Sequence, residues 1–355
     1  MQNRILNIQK KLDNNEALLI TSPSNRFYLT DFHSSAGCVF ITKDEAFFLV
    51  DFRYFEKAKS TVHNMATVLQ HRFFEDINGI IERKCIETVF VETDYVSVED
   101  FARYSQKMVA QISNNNKFSV YLKEMRSVKT EQEISRIRRA AELTDRAFSY
   151  ILDKIRVGAS EKDIALDLEF FMRKNGSEGV SFDFIVVSGK NSSLPHGVPT
   201  DKKIQKGDFV TLDFGAVVNG YRSDMTRTVA VGSVTEEQKA VYETVLKAQN
   251  AAIAYAKAGV ICSEVDAVSR DIITKAGYGD NFGHGLGHSV GIEIHESPCF
   301  NTSDQTVLKE NMVITVEPGI YLENKYGIRI EDMIIIEKDG CKDITSSPKQ
   351  LMVIE

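Results

Sequence analysis

Apolar residues change their spacing along this chain, and the changes divide it. Short β-rich runs come first, GCVFIT, EAFFLVDF and TVFVET, separated by stretches of helical period such as EDFARYSQKMVA. The opening MQNRILNIQKKLDNNEALLI mixes apolar and charged positions, and predicts a starting helix rather than a signal peptide or membrane span. Together these runs predict a small α/β domain over residues 1–125. The pattern then lengthens. Thr130 with Glu133 makes a capping box at the head of the long amphipathic stretch ISRIRRAAELTDRAFSYILDKI, so a second domain is expected over residues 126–355.

Within that second part the pattern repeats. A long helix (131–155) runs to Gly158, Ser160 with Asp163 caps a shorter one ending near Gly176, and strand-like text continues to about Gly232. Thr235 with Gln238 then caps another long helix that ends at Gly259. Ser263 with Asp266 opens another short one ending near Gly277, and strand-like text follows again. Two helix-helix-strand halves, each burying its helices on a sheet, predict an α+β, pseudo-symmetric domain with a curved antiparallel sheet and a central cleft.

Composition narrows the chemistry. With 355 residues, 43% of them hydrophobic, the chain can bury a sizeable core. A net charge of -7 with no basic block leaves no footprint for nucleic acid or an anionic membrane. The five scattered cysteines form no CxxC pair, so neither a disulfide framework nor a zinc ribbon is expected and a reducing cytoplasm is the natural setting.

Three segments carry candidate chemistry. In DFVTLDFGAVVNGYRSDMTRTVAVG, Asn219-Gly220 is a strong hairpin signal. With those two residues as the loop, Val217 faces Arg222 and Gly215 faces Asp224, which sets Asp213 diagonal to Asp224 on one face. Diagonal neighbours lie about 7–8 Å apart. Two carboxylates so placed can converge on a pair of divalent cations about 3.5–4 Å apart; taken alone, the pair would favour separate solvated turn or edge residues. In GHGLGHSVGIEIHESP, His284, His288 and His295 gather three of the seven histidines, which favours metal binding or proton transfer over isolated core roles. In VITVEPGIYLENKYGIRIEDMIII, two alternating strands are expected, with Glu317 on one and Arg329 and Glu331 on the other. A strand carboxylate among apolar residues needs a cation or a partner. A Glu-Arg salt bridge in the sheet would account for Arg329 but not for both glutamates. Asp213, Asp224, His288, Glu317 and Glu331 then form an oxygen-rich set suited to Mn²⁺ and tolerant of Co²⁺, Fe²⁺ or Zn²⁺. Four carboxylates would overcharge one divalent ion, so two are expected.

HGLGHSVGIEIHE resembles the signature block of the pita-bread metallopeptidases, in the branch of aminopeptidase P and proline dipeptidase, and the Asp, Asp, His, Glu, Glu order matches that family's ligands. The resemblance spans nearly the whole chain. It implies that Asp213 chelates one metal, that Asp224 and Glu331 bridge both, and that His288 and Glu317 complete the second. It implies that His196 contacts the substrate near the scissile bond and that His295 stabilises the tetrahedral intermediate. Glu317 would exchange the proton, and His284 and Arg329 would support the pocket. The implied activity is hydrolysis of the bond between an N-terminal residue and proline in a proline-containing peptide, by dipeptidase or aminopeptidase action. A homodimer is implied as well, in which His33 either lines a neighbour's cleft or is an ordinary loop residue. The contrasting reading is a catalytically inactive relative that binds peptides or proteins. Five retained ligands weigh against it.

Overall fold

The structure is a computed structural model that describes residues 2–355, so Met1 of the opening segment lies outside the described residues. The chain divides into two compact units, Met1–Arg126 and Ser127–Glu355.

Among the described residues, the first unit holds a six-stranded mixed sheet in the order Ala66–Leu69, Ala46–Val50, Cys38–Thr42, Glu16–Ile20, Thr88–Val91, Gln111–Ser113. The three β-rich runs are all in it. The opening segment is helical over Gln2–Lys10, and its end, EALLI, is a strand near the middle of the sheet. There Ala17, Leu18, Leu19 and Ile20 are fully buried. An apolar run buried on both faces has no alternation to distinguish it from the end of a helix. His33 stacks on Phe27, ring centroids 4.0 Å apart.

In the second unit the predicted repeat takes shape. Helices Glu131–Leu152 and Glu161–Lys174 pack on the four-stranded sheet Val353–Ile354, Met225–Val231, Phe209–Phe214, Ile185–Ser188. Helices Glu236–Tyr255 and Cys262–Lys275 pack on the five-stranded sheet Glu296–Phe300, Gly287–Ser289, Val313–Val316, Asp332–Ile336, Cys341–Asp343. All these pairings are antiparallel except that of Val353–Ile354 with Ala230–Val231, which is parallel.

Both long helices open with the reciprocal capping boxes expected, at Thr130 with Glu133 and at Thr235 with Gln238, and Ser160 caps the third helix. The fourth start differs. That helix begins at Cys262 after Ile261, and Ser263 does not cap it. Its first N–H groups are taken by neighbouring backbone, Cys262 donating to Thr306 O and Ser263 to Asp304 O. Asp266 instead turns inward and pairs with Arg270 at 2.7 Å.

The two sheets meet along Met225–Val231. Glu331 N–H donates to Thr226 O at 3.1 Å, and Thr228 Oγ1 donates to Arg329 O at 2.9 Å. Behind that seam the buried Arg227 guanidinium donates to Glu331 O, to Thr226 O and to Asp332 Oδ1. The candidate site lies on the other side of the same strands.

Candidate metal centre

The hairpin Phe209–Phe214/Met225–Val231 has the register read from its turn. Val217 faces Arg222, Phe214 faces Met225 and Asp213 faces Thr226, so Asp224 lies diagonal to Asp213. Asn219 (φ 49°) and Gly220 (φ 75°) both adopt the left-handed conformation that a tight two-residue turn requires. Both turn N–H groups donate to the Glu178 carboxylate, at 3.0 and 2.9 Å. Asp213 and Asp224 are buried, 8% and 4% exposed.

The other three candidates come from the second half. The segment expected as two alternating strands is four short ones, Val313–Val316 and Gly319–Leu322 against Tyr326–Arg329 and Asp332–Ile336. The register is the same on both sides of the interruption, Val316 facing Asp332 and Gly319 facing Arg329, which sets Glu317 across from Glu331 in the gap. The ladder opens because these two N–H groups are used elsewhere: Glu317 donates to Leu286 O and Glu331 to Thr226 O. His288, on Gly287–Ser289, is held from one neighbouring strand and from its own. Its N–H donates to Thr315 Oγ1 at 3.0 Å, and Nδ1 lies 3.3 Å from Ser289 O. That leaves Nε2 turned toward Glu317 Oε1 at 3.3 Å and Asp224 Oδ2 at 3.6 Å.

Asp224, His288 and Glu331 each offer a ligand atom, all within 4.8 Å of one another. Glu317 joins this trio through His288. Asp213 stands beside it, its Oδ2 held by Arg329 at 2.6 Å. The ion pair of Arg329 is thus with Asp213 and not with a glutamate.

The electrostatics test whether cations fit. Asp213 Oδ1, Asp224 Oδ1 and Glu331 Oε1 are buried and have no hydrogen-bond partner among the described residues. Burial drives the Asp224 carboxyl well above its ordinary range, and the charges of Glu331, Asp213 and Glu317 push it further. Burial, then Glu317 and Asp213, do the same to Glu331. Asp213 is raised by burial against the opposing pull of Arg329. Burial also pushes Glu317 up, but its hydrogen bond with His288 and the charge of that imidazole outweigh this and bring it down to about 2. Oxygens that are desolvated, unpartnered and mutually repelling fit divalent cations, which supply the charge and the ligand bonds that the protein withholds.

Around the carboxylates lies a ring of neutral and cationic donors. Arg329 Nη1 donates to Tyr321 Oη at 2.8 Å, and Tyr321 lies 3.0 Å from His284 Nε2. Tyr321 completes a chain that alternation alone did not single out. Thr226 Oγ1 donates to Glu331 Oε2 at 2.7 Å, and Thr315 Oγ1 to Glu317 Oε1 at 3.1 Å. Both threonines could have been found by register, since Thr226 faces Asp213 and Thr315 shares a strand face with Glu317. Burial lowers the pKa of His284, and burial with the neighbouring His288 lowers that of His295. His295 is only partly covered, and its ring lies 4.4 Å, centroid to centroid, from that of His288. Its loop is folded back by Glu296, whose Oε1 accepts from Ile292 and Glu293 N–H at 2.9 and 3.2 Å and whose Oε2 lies 3.5 Å from the buried Lys129 Nζ. His196 is exposed, on the loop whose Pro195 O accepts from Arg329 Nη1 at 3.2 Å.

A carboxylate cluster whose charges call for cations, set at the seam of two repeated halves, is the plan of a metallopeptidase. The chain belongs to metallopeptidase family M24, whose model matches residues 135–338, and residues 4–128 match the creatinase/prolidase N-terminal domain. The chain is 39% identical over 357 residues to the Xaa-Pro dipeptidase of Pyrococcus furiosus, covering 99% of this chain and 100% of that one. It is similar to the solved Xaa-Pro dipeptidase of Bacillus anthracis (TM-score 0.96, 39% identity, 99% and 100% of the two chains covered). It is also similar to the X-Pro aminopeptidase of Thermotoga maritima (TM-score 0.89, 37% identity, 98% and 100% covered). The fold is therefore the pita-bread fold with its N-terminal domain, and membership of the family implies divalent metal ions.

Proposed function

We propose that this chain hydrolyses the bond between an N-terminal residue and a following proline, with two divalent cations held by Asp213, Asp224, His288, Glu317 and Glu331. The observation that carries the reading is that buried carboxylate oxygens of Asp213, Asp224 and Glu331 have no hydrogen-bond partner among the described residues, while Asp224, Glu331 and His288 offer ligand atoms within 4.8 Å of one another. An enzyme is favoured over a peptide-binding relative because all five candidate ligands are retained.

Cations held there supply Lewis acidity, acidifying a water and polarising the scissile carbonyl. The protein does the rest. Glu317, kept ionised by His288, accepts the proton of the attacking water and delivers it to the departing proline nitrogen. His295, with its lowered pKa, is a neutral donor for the oxyanion. His196 contacts the substrate near the scissile bond. Arg329, Tyr321 and His284 keep Asp213 and the pocket wall in place. Proline lacks the N–H by which other peptidases grip a chain, so a dedicated site is needed.

The oxygen-rich donor set favours Mn²⁺. The relatives carry both dipeptidase and aminopeptidase names, two activities that differ in whether the substrate extends past proline. A cytoplasmic setting fits the absence, among the described residues, of any helix long and apolar enough to cross a membrane, and a homodimer remains the expected assembly.

Metal-stripped protein restored with Mn²⁺ should release proline from a Xaa-Pro dipeptide or cut a Xaa-Pro-Xaa tripeptide, and the faster substrate assigns the specificity. No cleavage of either under any divalent metal would overturn the reading. His295→Ala should lower kcat by about 10²–10³-fold, the cost of one lost oxyanion donor, with KM little changed. Steady-state kinetics at saturating metal check this, and an unchanged kcat removes His295 from the mechanism.

A further inference from the structure

We infer that Glu161, a fully buried carboxylate outside the metal cluster, is the positioning residue for His196. The inference rests on the activity proposed above. Glu161 is the first residue of the helix Glu161–Lys174 and is 0% exposed. Its Oε1 accepts from Ser188 N–H (2.7 Å), Ser188 Oγ (2.9 Å) and Asn191 Nδ2 (3.1 Å). Its Oε2 accepts from Thr200 N–H (3.0 Å), Thr200 Oγ1 (2.6 Å) and Asn191 Nδ2 (3.2 Å). One side chain therefore gathers both ends of the 188–200 segment and a point inside it. The helix N-terminus favours the negative charge at this position.

Between its ends that segment is held by short-range turns and by one neighbouring strand. It contains two short turns, Gly189–Ser193 and the one around Pro195-His196 that Gly197 N–H closes by donating to Leu194 O at 3.1 Å, and its Leu194 and Val198 are 57% and 76% exposed. Its inner edge is tied to the strand Tyr326–Arg329: Gly327 N–H donates to Ser192 Oγ at 2.9 Å, and Arg329 Nη1 to Pro195 O. The approach is so close that a Cβ on Gly327 would stand 2.1 Å from Ser192 O. His196 itself is exposed, so the strap that carries it sets its position. Glu161 closes the strap at its ends while Arg329, which also holds Asp213, ties down its middle. The imidazole is thereby registered against the cluster by a residue that touches neither metal nor substrate.

Fully metal-loaded protein carrying Glu161→Gln, His196→Ala, or both tests this through kcat/KM on a Xaa-Pro dipeptide. A misplacement of about 1 Å costs about 10²-fold, so Glu161→Gln should lose about 10–100-fold while keeping its bound metal. In the His196→Ala background the same change should cost no more than about twofold, because a positioning residue has nothing left to position. Losses that multiply across the two sites, or a Glu161→Gln variant as active as wild type, overturn the inference. Should Glu161→Gln fail to fold, Ser188→Ala with Thr200→Val removes two of the donors and leaves the carboxylate in place, and the same coupling to His196→Ala decides the matter. Wild-type protein that cuts no Xaa-Pro peptide would instead overturn the activity itself.

Discussion

Asp224→Asn is expected to lower turnover by at least about 10³-fold and to reduce the divalent metal bound per chain. Cations contribute several kcal/mol of transition-state stabilisation, and about 4 kcal/mol lost corresponds to three factors of ten. Asp224 is the position where the loss should be greatest. Its Oδ2 faces His288 Nε2 at 3.6 Å, its Oδ1 has no hydrogen-bond partner among the described residues, and three carboxylates push on it at once. The amide keeps the volume but removes the charge and turns an N–H₂ group toward the cations. In metal-free protein the same substitution removes a repulsion, so the stripped variant should melt above the stripped wild type while gaining less from added Mn²⁺. Metal analysis, kinetics and thermal melts of both proteins read all three effects. A variant that keeps full metal content and activity would remove Asp224 from the ligand set.

What could be read from the chain beforehand was what is local in it. The capping boxes at Thr130 and Thr235 are satisfied within a single helical turn, and both formed. The diagonal placement of Asp213 and Asp224 followed from one Asn-Gly turn, because a two-residue loop sets the register of everything behind it. Reading failed where a partner distant in sequence decides. Glu16–Ile20 is a strand because Cys38–Thr42 and Thr88–Val91 flank it. Ser263 is no cap because residues 304–306 already take the helix N–H groups. Glu317 and Glu331 interrupt their strands because Leu286 and Thr226 accept their N–H groups. The same limit hid Tyr321, whose partners lie on other segments, and Glu161, an acid in the first turn of its helix whose partners lie up to 39 residues away.

Stripping the metal should make the protein's stability fall as pH rises, and restoring it should reverse most of the loss. In the metal-free state Asp213, Asp224 and Glu331 have pKa values above their unfolded values of about 4. The folded chain therefore binds more protons than the unfolded one from about pH 4 upward. Stability is fully present below that pH and declines as the pH climbs through the raised folded values. His288, also raised despite its burial because Glu317 holds the proton, adds a loss of the same sign above about pH 6.5. Glu317 acts oppositely, but its lowered value near 2 means its contribution is already complete at pH 5 and stays constant. The metal responds in the other direction, because its ligands must be deprotonated and its affinity grows with pH. At 1,000 times its dissociation constant a bound ion adds about 4 kcal/mol, which for a domain of this size is roughly 8–16 °C in Tm. The melting curves of chelated and Mn²⁺-loaded protein should therefore lie closest near pH 5 and separate steadily toward pH 8. A chelated protein whose Tm stays flat or rises over that range would mean that the carboxylates are not in mutual repulsion, and with it would go the physical reason for placing cations among them.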